Sequence, residues 1–216
     1  MVPATLTPTL PLRGRGQNSG GACETSTTRR GRAPEHGTDY PVRMTAPADP
    51  SAIPSLPADL EVVRATVRDA DGIAQLINYW AAQGQMLPRT LGETYENLRD
   101  FFVVRDESGR VVGCGALHIV WADMAELKSL AVEESAHSRG VGAAITRACV
   151  GEGRALGLDS LFALTYRPGF FERLGWRQAD VMTLPRKVWN ECYRCPKFPG
   201  CDEIALVIDL KPASEA

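Results

Sequence analysis

The chain has 216 residues, of which 44% are apolar, 7% aromatic and 23% charged; its formal charge is −2 and its pI about 6.0. This is the composition expected of a soluble globular protein. The lack of any run of about 18 apolar residues excludes a transmembrane helix, and the near-neutral charge excludes a dominant nucleic-acid or anionic-membrane surface. Six cysteines are too few for a disulfide scaffold of this length and read as reduced thiols of a cytoplasmic protein.

Residues 1–58 read as a disordered extension. Nine of the 15 prolines fall in residues 1–57, and the rest is mostly Thr, Ser, Gly, Ala and Arg without a periodic apolar face. The first residues lack the apolar core of a secretory signal. Arg29, Arg30 and Arg32 form a small basic patch that reads as solvated tail, and Met44 offers a second possible start.

Regular patterning begins near Leu60, and residues 59–211 read as one α/β domain with a short tail at 212–216. Leu60–Thr66 alternates as a half-buried strand does. Asp69–Gln83 places Ile73, Leu76, Ile77, Trp80 and Ala81 at helical spacing, with Asp69 or Asp71 as cap. A shorter helix follows over Leu91–Arg99. Phe101–Arg105 and Val111–Val120 form a hairpin around the turn sequence Asp106-Glu107-Ser108-Gly109. Ala125–Val132 is a strand, Gly140–Leu156 a helix, Ser160–Thr165 a buried strand, Gly169–Leu174 a short helix and Ile204–Leu210 a last strand.

The chemistry concentrates where the Ala125 strand runs into the Gly140 helix. Free N–H groups at a helix start bind phosphate, and Gly140 and Gly142 let an anion approach the backbone. The Gly-Lys-Ser/Thr ending of a Walker loop is missing, and so is a full dinucleotide fingerprint. Alone, the two glycines fit a tight strand-to-helix turn equally well.

In context, His137-Ser138-Arg139-Gly140-Val141-Gly142 resembles the acetyl-CoA pyrophosphate loop of the GNAT N-acyltransferase superfamily, with His137 in place of Gln or Arg. Phe170-Phe171-Glu172-Arg173-Leu174-Gly175-Trp176 resembles that superfamily's Phe-Tyr-x-x-x-Gly-Phe segment. Within the superfamily the chain is most similar to the short N-acetylglutamate synthases. That likeness rests on Leu87-Pro88-Arg89-Thr90, Val112–His118, Ala125–Val132, Leu161–Thr165 and the Leu184–Glu203 region. It implies a mixed, mostly antiparallel sheet, splayed between the Ala125 and Ser160 strands and flanked by helices. It also implies acetyl transfer from acetyl-CoA to the α-amino group of L-glutamate, the first step of arginine biosynthesis. Both small molecules are the expected partners, with a homodimer possible, no metal, and no nucleic acid or membrane.

The reaction needs a base, an oxyanion donor, a proton for the leaving thiolate and cations for two carboxylates. The likeness makes Glu126 the base, and its alternative is an exposed carboxylate paired with Lys128. The Leu130 N–H is the expected oxyanion donor, and the backbone of Leu130, Ala131 and Val132 the expected partner of the pantetheine amides. Residues His137, Ser138, Arg139, Gly140, Val141, Gly142 and Ala143 would hold the pyrophosphate. Phe171 removes the superfamily's tyrosine hydroxyl, which leaves Thr165 or Tyr166 as donor. Arg89 is the first carboxylate binder and Lys128 the second, ahead of Arg167 and Arg186.

Cys192, Cys195 and Cys201 would need a fourth ligand for zinc, such as His118 or His137 from elsewhere in the chain; they read as reduced loop thiols, with a metal site as the alternative. Cys114 and Cys149 read as core. His118 reads as a satisfied side chain, Trp80, Trp121 and Trp176 as core or rim, and Trp189 as a pocket candidate. The same fold acting on another amine, or a non-catalytic acetyl-CoA or amino-acid sensor, remains open at this point.

Overall fold

The computed structural model describes residues 54–184, 192–195, 197, 198 and 200–211. Arg186, Trp189 and the expected tail at 212–216 lie outside the described residues, as does the extension up to residue 53. In chain order the elements are β1 (Val62–Arg64), α1 (Ala70–Ala82), α2 (Leu91–Glu96), β2 (Phe101–Arg105), β3 (Val111–Trp121), β4 (Met124–Val132), α3 (Val141–Ala155), β5 (Ser160–Thr165), α4 (Pro168–Glu172), β6 (Arg177–Ala179) and β7 (Ile204–Asp209). They form one seven-stranded sheet in the order β1-β2-β3-β4-β5-β7-β6. Every neighbouring pair is antiparallel except β4 and β5. The expected mixed sheet is present.

Each face of the sheet buries its own core. Val141, Ile145 and Cys149 of α3 pack with Val112, Leu117, Ala125, Leu127 and Leu161. Ile73, Leu76 and Ile77 of α1 pack with Phe101, Val103, Cys114 and Ala116 on the other. Gly115 makes the α3 contact possible, because a Cβ there would lie 2.7 Å from Ile145 Cγ2. Cys114 and Cys149 are fully buried, and loss of water pushes both thiols up to about 12.

Two elements differ from the expected ones. Leu91–Arg99 divides into α2 and a 3₁₀ turn at Leu98–Asp100. β6 pairs with β7 as an outer strand that the apolar pattern did not reveal. Residues just before 59 also pack on the domain: Leu56 lies against the α3-side core, and the Pro54 and Ser55 carbonyls lie beside Gly140.

Asp69 stands at the start of α1 but does not cap it with its side chain. Its carboxylate accepts from the Thr66 N–H and hydroxyl and from Arg105 Nε and Nη2, both at 2.7 Å. Burial pushes its pKa up, but the Arg105 and Thr66 bonds outweigh burial and hold it at about 2, below the ordinary 3.8. A carboxyl with a depressed folded-state pKa stabilises above its unfolded value and loses that contribution as pH falls through the folded value. The expected loss is about 2 kcal/mol between about pH 4 and pH 2. Urea unfolding across that range checks it. Asp69→Asn should be less stable at pH 7 and should lack this acid-dependent component; an unchanged acid profile would remove Asp69 as its source.

Candidate active site

β4 and β5 pair in parallel only at Met124↔Ser160, Ala125↔Leu161 and Glu126↔Phe162. Beyond Glu126 the strands part, and a cleft of about 1260 Å³ opens between them. A two-against-one bulge in β4 shapes its wall. Ala116 pairs with Lys128 and Cys114 with Ala131, so Gly115 faces both Ser129 and Leu130. Ser129 adopts the left-handed conformation, φ +54°. The extra residue reverses the alternation of the strand: Ala125 and Leu127 pack on the α3 side before the bulge, and Leu130 and Val132 after it. Leu130 therefore lies at a point where neither neighbouring strand offers a register partner.

Glu126 and Lys128 share the opposite face, as their spacing of two requires. Glu126 is only 4% exposed, which excludes the exposed strand-end alternative, and Lys128 Nζ lies 3.9 Å from its Oε2. The neighbouring His118 pairs with Asp100 through Nδ1 at 2.8 Å.

At the far end of the cleft, Ser138 (φ +59°) and Gly140 (φ +77°) curl the backbone into α3. The first helical bond runs from Ala144 N–H to Gly140 O, so the N–H groups of Val141, Gly142 and Ala143 have no acceptor within the helix. Gly140 is required twice over. Its φ disfavours any side chain, and a Cβ would lie 2.4 Å from the Pro54 carbonyl oxygen. His137 Nε2 donates to Val132 O at 3.0 Å, and its ring stacks on Trp80. Trp80 Nε1 donates to the same carbonyl, also at 3.0 Å.

Arg89 enters from the loop between α1 and α2. Its Nε donates to Ser129 Oγ at 2.9 Å, and Asn78 holds its backbone on both sides. Thr90 and Glu93 form a reciprocal capping box that starts α2. The Thr90 N–H and hydroxyl, with Arg89 nearby, hold the Glu93 carboxyl below its usual range.

On the β5 wall, Thr165 Oγ1 accepts from Arg167 N–H and retains its own proton. The Tyr166 hydroxyl binds Lys197 Nζ. That bond lowers the phenol pKa, but burial and the Glu203 and Asp202 carboxylates outweigh it and raise it above its ordinary value. Phe171 is core, edge-on to Trp176, whereas Phe170 lies beside Gly142.

The cleft thus brings together Arg89, Glu126, Lys128, Leu130, Ala131, Val132 and Thr165 with His137, Ser138, Gly140, Val141, Gly142 and Ala143. Arg139 does not join them and instead pairs with Asp59 at 3.6 Å. Asn78 and Ser129 are additions that the sequence reading missed, and Trp80 gains a defined partner at the rim. Cys192, Cys195 and Cys201 also line the cleft. Among the described residues no group of three or more His, Cys, Asp or Glu side chains is placed to hold a metal ion. None of the described helices is long and apolar enough to cross a membrane.

The acetyltransferase (GNAT) family model matches residues 73–176. An uncharacterized N-acetyltransferase of Chlorobaculum tepidum is 37% identical over 153 residues, 71% of this chain and 98% of that protein. The chain belongs to the GNAT acetyltransferase family. It is an N-acetyltransferase, and its parted β4 and β5 are the expected splay of that fold. An amino-acid acetyltransferase of Mycobacterium tuberculosis is 34% identical over 135 residues, 62% of this GNAT chain and 77% of the relative. N-acetylglutamate synthase from Neisseria gonorrhoeae, solved with coenzyme A and N-acetyl-glutamate, superposes with a TM-score of 0.63 at 25% identity. That match covers 73% of this chain but only 37% of the synthase.

Proposed function

We propose that this acetyltransferase moves the acetyl group of acetyl-CoA to the α-amino group of L-glutamate, by direct attack in a ternary complex. The observation that carries the reading is a buried carboxylate, Glu126, 3.9 Å from the cation Lys128 and in the same cleft as Arg89 and the glycine loop. The name amino-acid acetyltransferase of the relative supports an amino-acid acceptor, and the synthase's complex with N-acetyl-glutamate supports glutamate.

In this reading the pyrophosphate lies at the N–H groups of Val141, Gly142 and Ala143, with the dipole of α3 behind it. Val132 O already accepts from Trp80 and His137; the Leu130 N–H is the proposed donor to the thioester oxygen, and the strand backbone at Leu130 the proposed partner of the pantetheine. Glu126 takes a proton from the glutamate ammonium, directly or through one water. The freed nitrogen attacks the thioester carbon and its N–C bond forms. The C–S bond then breaks, the thiolate takes a proton from the Thr165 hydroxyl, and that hydroxyl is restored by the second proton, which the nitrogen loses as the amide forms. Arg89 and Lys128 bind the two carboxylates. Residues 59–211 form the catalytic unit of this proposal, a cytoplasmic enzyme opening arginine biosynthesis and able to pair as a homodimer.

The test is CoA release from acetyl-CoA across a panel of amino acids and amines. The thiol reagent is added after quenching, because Cys192, Cys195 and Cys201 are not buried. Turnover highest with L-glutamate is the expected result. Higher turnover with another amine would reassign the acceptor. Acetyl-CoA binding without CoA release from any acceptor would replace the enzyme reading by a sensor.

A further inference from the structure

We infer that Asn78 is a positioning residue for acceptor binding, acting through Arg89. This rests on the proposed role of Arg89 at an acceptor carboxylate.

Asn78 lies on α1, eleven residues before Arg89, and its side-chain amide closes a ring with the Arg89 backbone. Nδ2 donates to Arg89 O at 2.7 Å, and Arg89 N–H donates to Asn78 Oδ1 at 3.1 Å. This pair of bonds sets the orientation of the amide, because the carbonyl needs a donor and the N–H an acceptor. The loop from Gln83 to Thr90 has no regular structure of its own. Asn78 fixes it at Arg89, and the Thr90–Glu93 capping box fixes the next residue.

The side chain of Arg89 is fixed as well. Its Nε donates to Ser129 Oγ, a neutral partner, and among the described residues no carboxylate forms an ion pair with it. The guanidinium is thus aligned through one edge by a hydroxyl, and among the described residues no carboxylate is within ion-pair distance of it. That suits a planar anion, which a guanidinium binds through two parallel N–H groups. A long side chain on an irregular loop otherwise loses its rotamer freedom at the moment of binding, and prior fixation avoids that loss.

Ser129 adds a second link. It is the left-handed residue of the β4 bulge and directly precedes Leu130. A non-glycine residue in that conformation persists only where its surroundings hold it. Arg89 is one of those holds, so the chain of contacts Asn78–Arg89–Ser129 joins the acceptor loop to the strand that presents the acyl group.

The test compares wild type, Asn78→Ala, Arg89→Ala and the double variant with L-glutamate as acceptor, measuring kcat, KM and the acetyl-CoA Kd. Asn78→Ala should raise the glutamate KM about fivefold, with kcat within about twofold and the acetyl-CoA Kd unchanged. In the Arg89→Ala background the same substitution should add nothing, because its target is gone. Asn78→Asp, which lacks the donor to Arg89 O, should not restore the wild-type KM. A KM that stays at the wild-type value in Asn78→Ala would overturn the inference, and so would a full multiplicative effect in the double variant. If Arg89→Ala itself leaves the glutamate KM unchanged, the carboxylate role of Arg89 fails and this inference fails with it. A raised KM in Arg89→Ala beside an unchanged one in Asn78→Ala sinks the Asn78 relay alone.

Discussion

Replacing Glu126 by Gln should lower kcat for L-glutamate by roughly a hundredfold or more while leaving the acetyl-CoA Kd within about twofold. A positioned general base contributes about 10²–10⁴ in rate, and glutamine keeps the shape of the side chain but cannot take a proton. The placement of Glu126 makes the two effects separable. It lies at the last paired position before β4 and β5 part, whereas the glycine loop lies beyond Val132. The substitution also removes one charged neighbour of Lys128, whose side chain is 13% exposed, so some loss of stability accompanies it. Thermal unfolding of the variant separates that loss from the rate effect. Turnover equal to wild type at saturating substrate would remove Glu126 as the base and pass the role to a water.

Arg89→Ala should raise the KM for L-glutamate by about 30- to 100-fold with a much smaller change in kcat. A charge-assisted hydrogen bond contributes roughly 1.5–3 kcal/mol, which spans about one to two decades of affinity. Arg89→Lys should recover little of this. An ammonium reproduces neither the planar fork nor the Nε bond to Ser129. Acceptors without carboxylates should show the same low efficiency with wild type and both variants. An unchanged glutamate KM would move the carboxylate site to Lys128 or to Arg167 and Arg194, which line the same cleft.

Most of the sheet was legible because its strands carry their own apolar patterns, and β2 and β5 begin and end where the patterning places them. β6 was not, because its three residues, Arg177, Gln178 and Ala179, include no large apolar side chain, and only pairing with β7 makes them a strand. Asn97 divides the Leu91–Arg99 segment: its backbone N–H closes α2 onto Glu93 O, and the next turn tightens. The β4 bulge left a trace in the sequence. The apolar residues Ala125 and Leu127 are odd-numbered, Leu130 and Val132 are even-numbered, and that change of phase marks the inserted residue. The anchors of Arg89 left no such trace, since Asn78 is 11 residues before it and Ser129 40 residues after it. Pairings across that distance are made by the tertiary fold and carry no local period. Arg139 shows the converse case: the loop likeness put it at the phosphate, whereas in the structure its guanidinium pairs with Asp59.

The parting of β4 and β5 gives this sheet two more edges than a continuous seven-stranded sheet has. Past Glu126 each strand keeps one neighbour, β3 for β4 and β7 for β5, and presents its other side to the cleft. Such inward edges are templates for a foreign strand, and proteins usually cover or charge them. Here the pantetheine amides of acetyl-CoA would serve as that cover, so cofactor loading and resistance to self-association become linked properties. The unliganded protein should aggregate faster on mild heating than the loaded one, and by more than the gain in global stability from ligand binding accounts for.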